Sequence, residues 1–213
     1  EAARVMGQAL RRTAQSPNMR ERLDFSCALF TRDGRLVANA PHVPVHLGAM
    51  GETVRSILAA RGERGLEPGM AIASNDPRHG GSHLPDVTVV SPVFADGALR
   101  FFVANRGHHA DVGGVVPGSM PPFATTLAEE GIVMHDVALC RDGRWLDDAE
   151  RLLRGGEHPA RGVPERLADL RAQVAANAMG ARLLEELARE WGAEAVEQGM
   201  RDVVDDAARA CAE

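Results

Sequence analysis

The sequence predicts an α+β fold: a mixed or antiparallel sheet built from hairpins, with packed helices, followed by a C-terminal helical pair. Asp-Gly pairs at positions 33–34, 96–97 and 142–143 separate short apolar runs, as the turns of β-hairpins do. Other stretches repeat apolar residues every three or four positions, which is the period of a helix with one buried face. Strands joined by tight turns, with helices in separate blocks, are typical of an α+β protein.

These two kinds of pattern locate the individual strands and helices. Helical spacing predicts helices at residues 1–13, 46–60, 146–153, 164–191 and 196–211. Runs of β-branched and aromatic residues predict strands at residues 24–30, 36–40, 70–74, 87–94, 99–103 and 132–139. The Pro/Gly-rich segment 115–126 is expected to be a long loop, either a mobile lid or a rigid crossover.

The same pattern suggests two regions. Residues 1–160 are expected to form an α/β region that carries a metal site, and residues 161–213 a helical segment that continues into a further region. The first residue is Glu1 and the chain ends inside a helical pattern, so we expect a fragment of a longer protein.

Composition narrows the possible functions. The net charge of −6 disfavours nucleic acid or an anionic membrane as the main partner, and no apolar run approaches the length of a membrane span. Three widely separated cysteines favour a reducing compartment, so a cytoplasmic protein is expected. The chain has no lysine, which excludes Schiff-base and Walker-type chemistry within it. If ATP is used, another polypeptide or region must bind it.

The candidate chemistry is concentrated in residues 75–114. A two-residue turn at Asp96-Gly97 would place Asp86 opposite Gly107 and beside His108. The hairpin then brings the segment from His83 to Asp86 to the same end as His108. Two imidazoles and a carboxylate meeting there predict a divalent-metal site with open positions. The alternative is that these residues only cap loops or bond the backbone.

Two further histidines lie near the start of a predicted helix. His42 and His46 are placed to approach this cluster, or the helix N-terminus could hold a substrate carboxylate or phosphate. Local capping or packing is the alternative for both.

Four segments also resemble a known family, the hydantoinase B/oxoprolinase family. They read ERLDFSCALF, PHVPVHLGAMGETV, NDPRHGGSHLPDVTVVSPVF and RGHHADVGGVVPGSMPP, and the resemblance runs from about Met19 to the C-terminus. That family includes B subunits of ATP-dependent N-methylhydantoinases, the matching region of 5-oxoprolinase and the metal-bearing subunit of acetone carboxylase. The resemblance implies a metal-assisted component that opens hydantoin or 5-oxoproline rings with an A-type ATP-binding partner, in a hetero-oligomer. Because members of that family are much longer, it also implies that this chain is an N-terminal piece of one.

The resemblance also assigns roles to residues. It implies that His83, Asp86 and His108 bind a divalent metal, Mn²⁺ first and Zn²⁺ second. Beside it, His109 and Asp111 are candidates to orient a ligand or move a proton.

Substrate binding has its own candidates. Arg78 or Arg106 could hold a substrate carboxylate or phosphate through a bidentate contact, with His46 nearby. Surface ion pairs are the alternative for both arginines. Two other functions stay open: a subunit of an ATP-dependent acetone-type carboxylase, and a scaffold without chemistry.

Overall fold

The computed structural model describes residues 1–40 and 43–212, so His42 lies outside the described residues. The strands are β1 (Phe25–Thr31), β2 (Leu36–Asn39), β3 (Ala71–Ser74), β4 (Asp86–Ala95), β5 (Ala98–His108), β6 (Val137–Arg141) and β7 (Arg144–Trp145). The helices are α1 (Ala2–Thr13), α2 (Pro17–Arg20), α3 (Pro44–Arg61), α4 (Leu127–Glu130), α5 (Asp148–Arg154), α6 (Val163–Trp191) and α7 (Ala193–Ala212). Short 3-10 turns lie at Glu63–Gly65 and Pro77–His79.

The strands form one sheet in the order β2-β1-β5-β4-β3-β6-β7, and every described pair of neighbours is antiparallel. The predicted α+β class is confirmed, together with the C-terminal helical pair α6 and α7. The first hairpin, β1 and β2, and the last, β6 and β7, form the two edges. The central hairpin, β4 and β5, lies between them.

Helices cover both faces of this sheet. On one face α3 packs against a core that includes Phe30, Val54, Ile72, Val90 and Phe102. On the other face α1 and α6 cover two further clusters, with Met6, Phe101, Val103, Val89 and Leu170 among their buried members. Because side chains alternate along a strand, neighbouring residues of β4 and β5 face different helices.

The predicted register of the central hairpin is correct near the turn and wrong beyond it. Asp96 and Gly97 both have positive φ, at 53° and 73°, as a type I′ turn requires. The pairing shifts at a bulge, since Phe94 faces Leu99 but Val93 faces Phe101. One extra residue on β5 therefore moves every later pair by one position. As a result Asp86 faces His108 directly, and not Gly107 as the turn alone predicts.

The predicted strand 132–139 is also corrected. Strand β6 begins only at Val137, and the apolar residues before it form a partly buried loop. The Asn75 side chain binds this loop, donating to the Ile132 carbonyl and accepting from the Met134 N–H. These backbone groups are bonded to a side chain and not to a strand, so His135 lies before the strand and not within it.

The division at residue 160 stays a prediction. Helix α6, which begins just after it, contributes Leu167 and Leu170 to one buried cluster and Ala176 and Leu184 to another, alongside residues of the strands. Within residues 1–40 and 43–212, no helix combines the length and the apolar character that crossing a membrane requires.

Candidate metal centre

The predicted ligands do meet at one end of the central hairpin, around the carboxylate of Asp86. Its Oδ1 lies 3.0 Å from His108 Nδ1 and 3.2 Å from His83 Nε2. The two imidazole rings are neighbours, with centroids 5.0 Å apart and planes tilted by 34°. Asp86 is buried, whereas the side chains of His108 and His83 are 19% and 36% exposed. The cluster is therefore closed on the protein side and open to solvent on the other.

The second oxygen of Asp86 is held by two more groups. Ser82 donates its hydroxyl to Oδ2 at 2.7 Å, and His46 Nε2 lies 3.5 Å from the same oxygen. His46 is itself buried near the start of α3, and its Nε2 is 3.7 Å from Asp24 Oδ1. The start of α3 thus approaches the cluster, as the sequence predicts for His46.

Electrostatics keeps this group ionised. Burial alone would raise the pKa of Asp86, but hydrogen bonds from His108, His83 and Ser82 outweigh it and hold that pKa well below its usual value. The hydrogen bond to Asp86 raises the pKa of His83. Burial lowers the pKa of His46, against the attraction of Asp86 and Asp24. At neutral pH a carboxylate anion therefore sits beside an uncharged His46.

Arg106 lies beneath the cluster and not within reach of solvent. Its side chain is completely buried, and its guanidinium donates to the Gly80 carbonyl at 2.6 Å and to the Thr88 hydroxyl at 2.7 Å. A longer contact of 3.4 Å joins it to Ser82 Oγ. Burial lowers the pKa of Arg106 to about 10, so it stays charged at neutral pH. The charge of Arg106 compensates that of Asp86, and its hydrogen bonds hold the loop that carries Ser82.

The donor set fits a divalent transition metal. Two ligands each about 2.1 Å from one ion lie about 3–3.5 Å apart, and the Asp86 oxygen lies within that range of both imidazole nitrogens. All three donors, from His83, Asp86 and His108, lie within 4.8 Å of one another. Two imidazoles and one carboxylate with an open side suit Mn²⁺ and Zn²⁺ alike, so the geometry leaves the choice of metal open.

The side chains of the two residues expected to act as catalysts have partners outside the cluster. His109 is buried on the α6 face, where its Nε2 is 2.9 Å from Gln173 Oε1. Asp111 accepts hydrogen bonds from the backbone of Gly113 and Gly118 and from the side chain of Arg161. Both residues therefore have partners that stabilise the fold and not the cluster.

The arginines expected to bind substrate differ from each other. Arg78 is exposed in the 3-10 turn, and its backbone N–H donates to Asp76. Arg106 is buried, and its guanidinium donates to the Gly80 carbonyl and the Thr88 hydroxyl. Of the two, only Arg78 faces solvent.

Sequence reasoning missed Ser82 and Asp24. Asp24 precedes β1, and its carbonyl accepts from the His108 N–H at 3.0 Å because β1 pairs with β5. The local pattern carries no signal for the pairing of these distant strands. Ser82 lies one residue before His83, and its hydroxyl was a recognisable partner for a nearby carboxylate.

Fold and site together define an antiparallel α+β protein with an open cluster of two histidines and one aspartate at a sheet end. This chain belongs to the Hydantoinase B/oxoprolinase family, which it matches over residues 1–213. It is 48% identical over 212 residues to 5-oxoprolinase 1 of Arabidopsis thaliana, which covers 94% of this chain and 16% of that protein.

A second relative is the caprolactamase of Pseudomonas jessenii. Its beta subunit is 32% identical over 208 residues, covering 98% of this chain and 35% of that subunit. The crystal structure of this ATP-dependent caprolactamase matches with a TM-score of 0.83 at 31% identity, covering 95% of this chain and 34% of that one.

A nucleotide-free structure of acetone carboxylase shares the fold. It matches with a TM-score of 0.86 at 22% identity, covering 95% of this chain and 26% of that one. The chain therefore spans about a sixth of the length of the 5-oxoprolinase and about a third of the caprolactamase subunit.

Proposed function

We propose that this chain is the metal-bearing part of an ATP-dependent hydrolase that opens a cyclic amide of the 5-oxoproline or hydantoin type. The observation that carries the proposal is the meeting of His83, Asp86 and His108 at an open sheet end. The 48% identity to a 5-oxoprolinase favours a five-membered lactam over a ketone as substrate. The likeness to acetone carboxylase is a likeness of fold, so it does not favour a carboxylase.

In this proposal His83, Asp86 and His108 hold one divalent ion, with Mn²⁺ as first choice and Zn²⁺ as second. Such an ion would supply Lewis acidity toward a carbonyl or phosphoryl oxygen or toward water. Ser82 and the buried Arg106 position the Asp86 carboxylate, so they act through it and not on substrate. Arg78, which faces solvent, is the proposed contact for a substrate carboxylate or phosphate.

His46 takes a supporting role. Its Nε2 lies between the carboxylates of Asp86 and Asp24, at 3.5 Å and 3.7 Å. A neutral imidazole there can donate to one carboxylate and keep it aimed at the opening. His109 and Asp111 are left out of the reaction because their partners belong to the α6 face and to the 113–118 loop.

ATP enters through a partner. The chain has no lysine and no glycine-rich phosphate loop of the Walker type, so we propose that an A-type subunit or domain binds the nucleotide. Activation of the amide oxygen with ATP would occur there, and the metal site of this chain would assist the attack of water. This division of labour makes a hetero-oligomer or a larger fused polypeptide the working unit.

The test uses the full-length protein that contains this chain, purified with its partner. We expect ATP-dependent opening of 5-oxoproline or hydantoin, and loss of both activity and one bound ion in His83→Ala and His108→Ala. His158→Ala is the matched control, because the imidazole of His158 lies near Glu157 and His158 is not among the residues that meet around Asp86. Full turnover in metal-free His83→Ala would overturn the proposal, and ATP-dependent ketone carboxylation would replace it with the carboxylase.

A further inference from the structure

A second group of histidines lies at the same end of the sheet, around Asp76. The Oδ2 of Asp76 is 2.8 Å from His79 Nδ1 and 3.4 Å from His135 Nδ1. The two rings lie close, with centroids 4.1 Å apart and planes tilted by 46°. Asp76 is largely buried, whereas the side chains of His79 and His135 are 40% and 44% exposed. This group is therefore a shallow surface site with a buried anion at its base.

The donor spacing fits a metal ion here too. The donor atoms of Asp76, His79 and His135 lie within 4.8 Å of one another, and the two contacts to the carboxylate fall near the spacing of ligands on one ion. Both imidazoles direct the same kind of atom, Nδ1, at a single oxygen. Two imidazoles and one carboxylate are a donor set that favours Zn²⁺, Cu²⁺ or Ni²⁺ over Mg²⁺ or Ca²⁺.

The backbone holds this arrangement without help from a metal. Asn75 precedes Asp76, and Met134 precedes His135. The Asn75 N–H donates to the Met134 carbonyl at 3.0 Å, and the Met134 N–H donates to the Asn75 side chain at 2.6 Å. A third donor, the Asn75 side-chain amide, binds the Leu84 carbonyl at 2.7 Å. The two segments that carry the ligands are therefore joined at the residues next to the ligands.

Two more contacts fix the individual ligands. The Arg78 N–H donates to Asp76 Oδ1 at 2.9 Å, which leaves Oδ2 for the histidines. Asp136 follows His135 and accepts from Arg61, in the last turn of α3, at 2.5 Å. Since the ligand positions are set in advance, little conformational entropy remains to be lost when an ion binds.

We propose that Asp76, His79 and His135 form a second divalent-metal site, of the Zn²⁺ class, that clips the loop after β3 to the loop before β6. It is separate from the ion held by His83, Asp86 and His108, and it uses a different carboxylate. Three protein ligands on an exposed surface leave one position for water or for a side chain of a partner. The clip stabilises the segment that leads from Asp76 to Ser82 and therefore the floor of the first cluster.

The first experiment counts ions. The full-length protein is stripped with a chelator and titrated with Zn²⁺, and then with Co²⁺, whose visible absorption reports the coordination geometry of the bound ion. We expect two equivalents for the parent and one for His79→Asn or His135→Asn, which keep the ion that His83→Asn releases. His158→Asn is the matched control and should bind two equivalents.

The second experiment locates the ions in the parent protein, so its result does not depend on the stability of any variant. Anomalous scattering at the zinc edge from crystals of the parent should give a peak bounded by Asp76, His79 and His135. One equivalent in the parent, or a peak at the first cluster alone, would overturn the second site and leave the proposed function untouched. Two equivalents retained by both His79→Asn and His135→Asn would overturn it as well.

Discussion

The two faces of the central hairpin differ in charge, although both contain a histidine with polar neighbours. On the α3 face, the charged side chains of Asp86 and Arg106 are buried, and the His108 side chain beside Asp86 is 19% exposed. On the α6 face, His109 and three amide side chains form an uncharged group. Asn177 donates to the Val89 carbonyl at 2.9 Å, and Gln173 donates to the Val87 carbonyl at the same distance. The side chain of Asn105 in turn donates to Asn177.

The neighbouring residues His108 and His109 make the contrast sharp. His108 contacts the Asp86 carboxylate and is partly exposed to solvent. His109 is fully buried and contacts the side chain of Gln173. Burial lowers the pKa of His109 and keeps it neutral, so its partner is an uncharged amide. Two adjacent histidines thus lie in different environments, because one contacts an ionised carboxylate and the other contacts an uncharged amide in the core.

The largest effect should come from removing a ligand on the charged face. His108→Ala should weaken binding of the ion that His83→Ala releases by more than about 100-fold, because loss of an outer-shell partner alone costs about 10–100-fold. His109→Gln, which keeps a polar group near Gln173, should change that affinity by less than about threefold on the same scale. Titration against a competing chelator measures both. Equal loss in the two variants would remove the functional difference between the faces.

Arg106 tests whether the charged face depends on its buried cation. Arg106→Met should lower the free energy of unfolding by about 3–5 kcal/mol, because it removes a buried positive charge that attracts Asp86 and leaves the Gly80 carbonyl and the Thr88 hydroxyl without this donor. Arg78→Met, at an exposed arginine, should change it by less than about 0.5 kcal/mol. Urea unfolding followed by circular dichroism measures the difference. If Arg106→Met leaves the free energy of unfolding unchanged, the histidines alone compensate the charge of Asp86.

On the uncharged face a smaller loss of stability is expected, without loss of metal. Asn177→Leu leaves the Val89 carbonyl and the Asn105 amide without this partner, which costs about 1–3 kcal/mol. The affinity for the ion at His83 should stay within about threefold of the parent, below the range that outer-shell partners produce. Urea unfolding measures the loss of stability, and chelator competition on the same sample measures the metal affinity. Release of the ion in Asn177→Leu would show that the faces are coupled.

The hairpin turn should matter least for the site. Gly97→Val places a β-branched residue at φ 73° and should cost about 1–3 kcal/mol of local strain. Metal affinity should hardly change, since β5 also pairs with β1 and β4 with β3, and these neighbours set the register. Asp96→Asn should be silent, because Asn-Gly makes the same turn. Thermal unfolding measures the strain, and a metal titration measures the affinity. Release of the ion in Gly97→Val would show that the turn, and not the neighbouring strands, sets the register.

Much of the fold could be predicted because its signals are local. The turns at Asp33-Gly34, Asp96-Gly97 and Asp142-Gly143 and the helical spacing of α3, α6 and α7 each arise within a short segment. The same local rules brought His83 and Asp86 near His108, since a hairpin with a two-residue turn has only one register at its start.

Local patterns are therefore enough to predict the class of fold, the central hairpin and the approach of His83 and Asp86 to His108 near its end. Three further features depend on long-range packing: a bulge places Asp86 opposite His108, β1 brings Asp24 beside His46, and His135 reaches Asp76 from 59 positions away. These outcomes depend on which strands pair across the sheet. Pairing between distant segments is settled by burial of whole faces against α3 and α6, and no short pattern of residues carries that information.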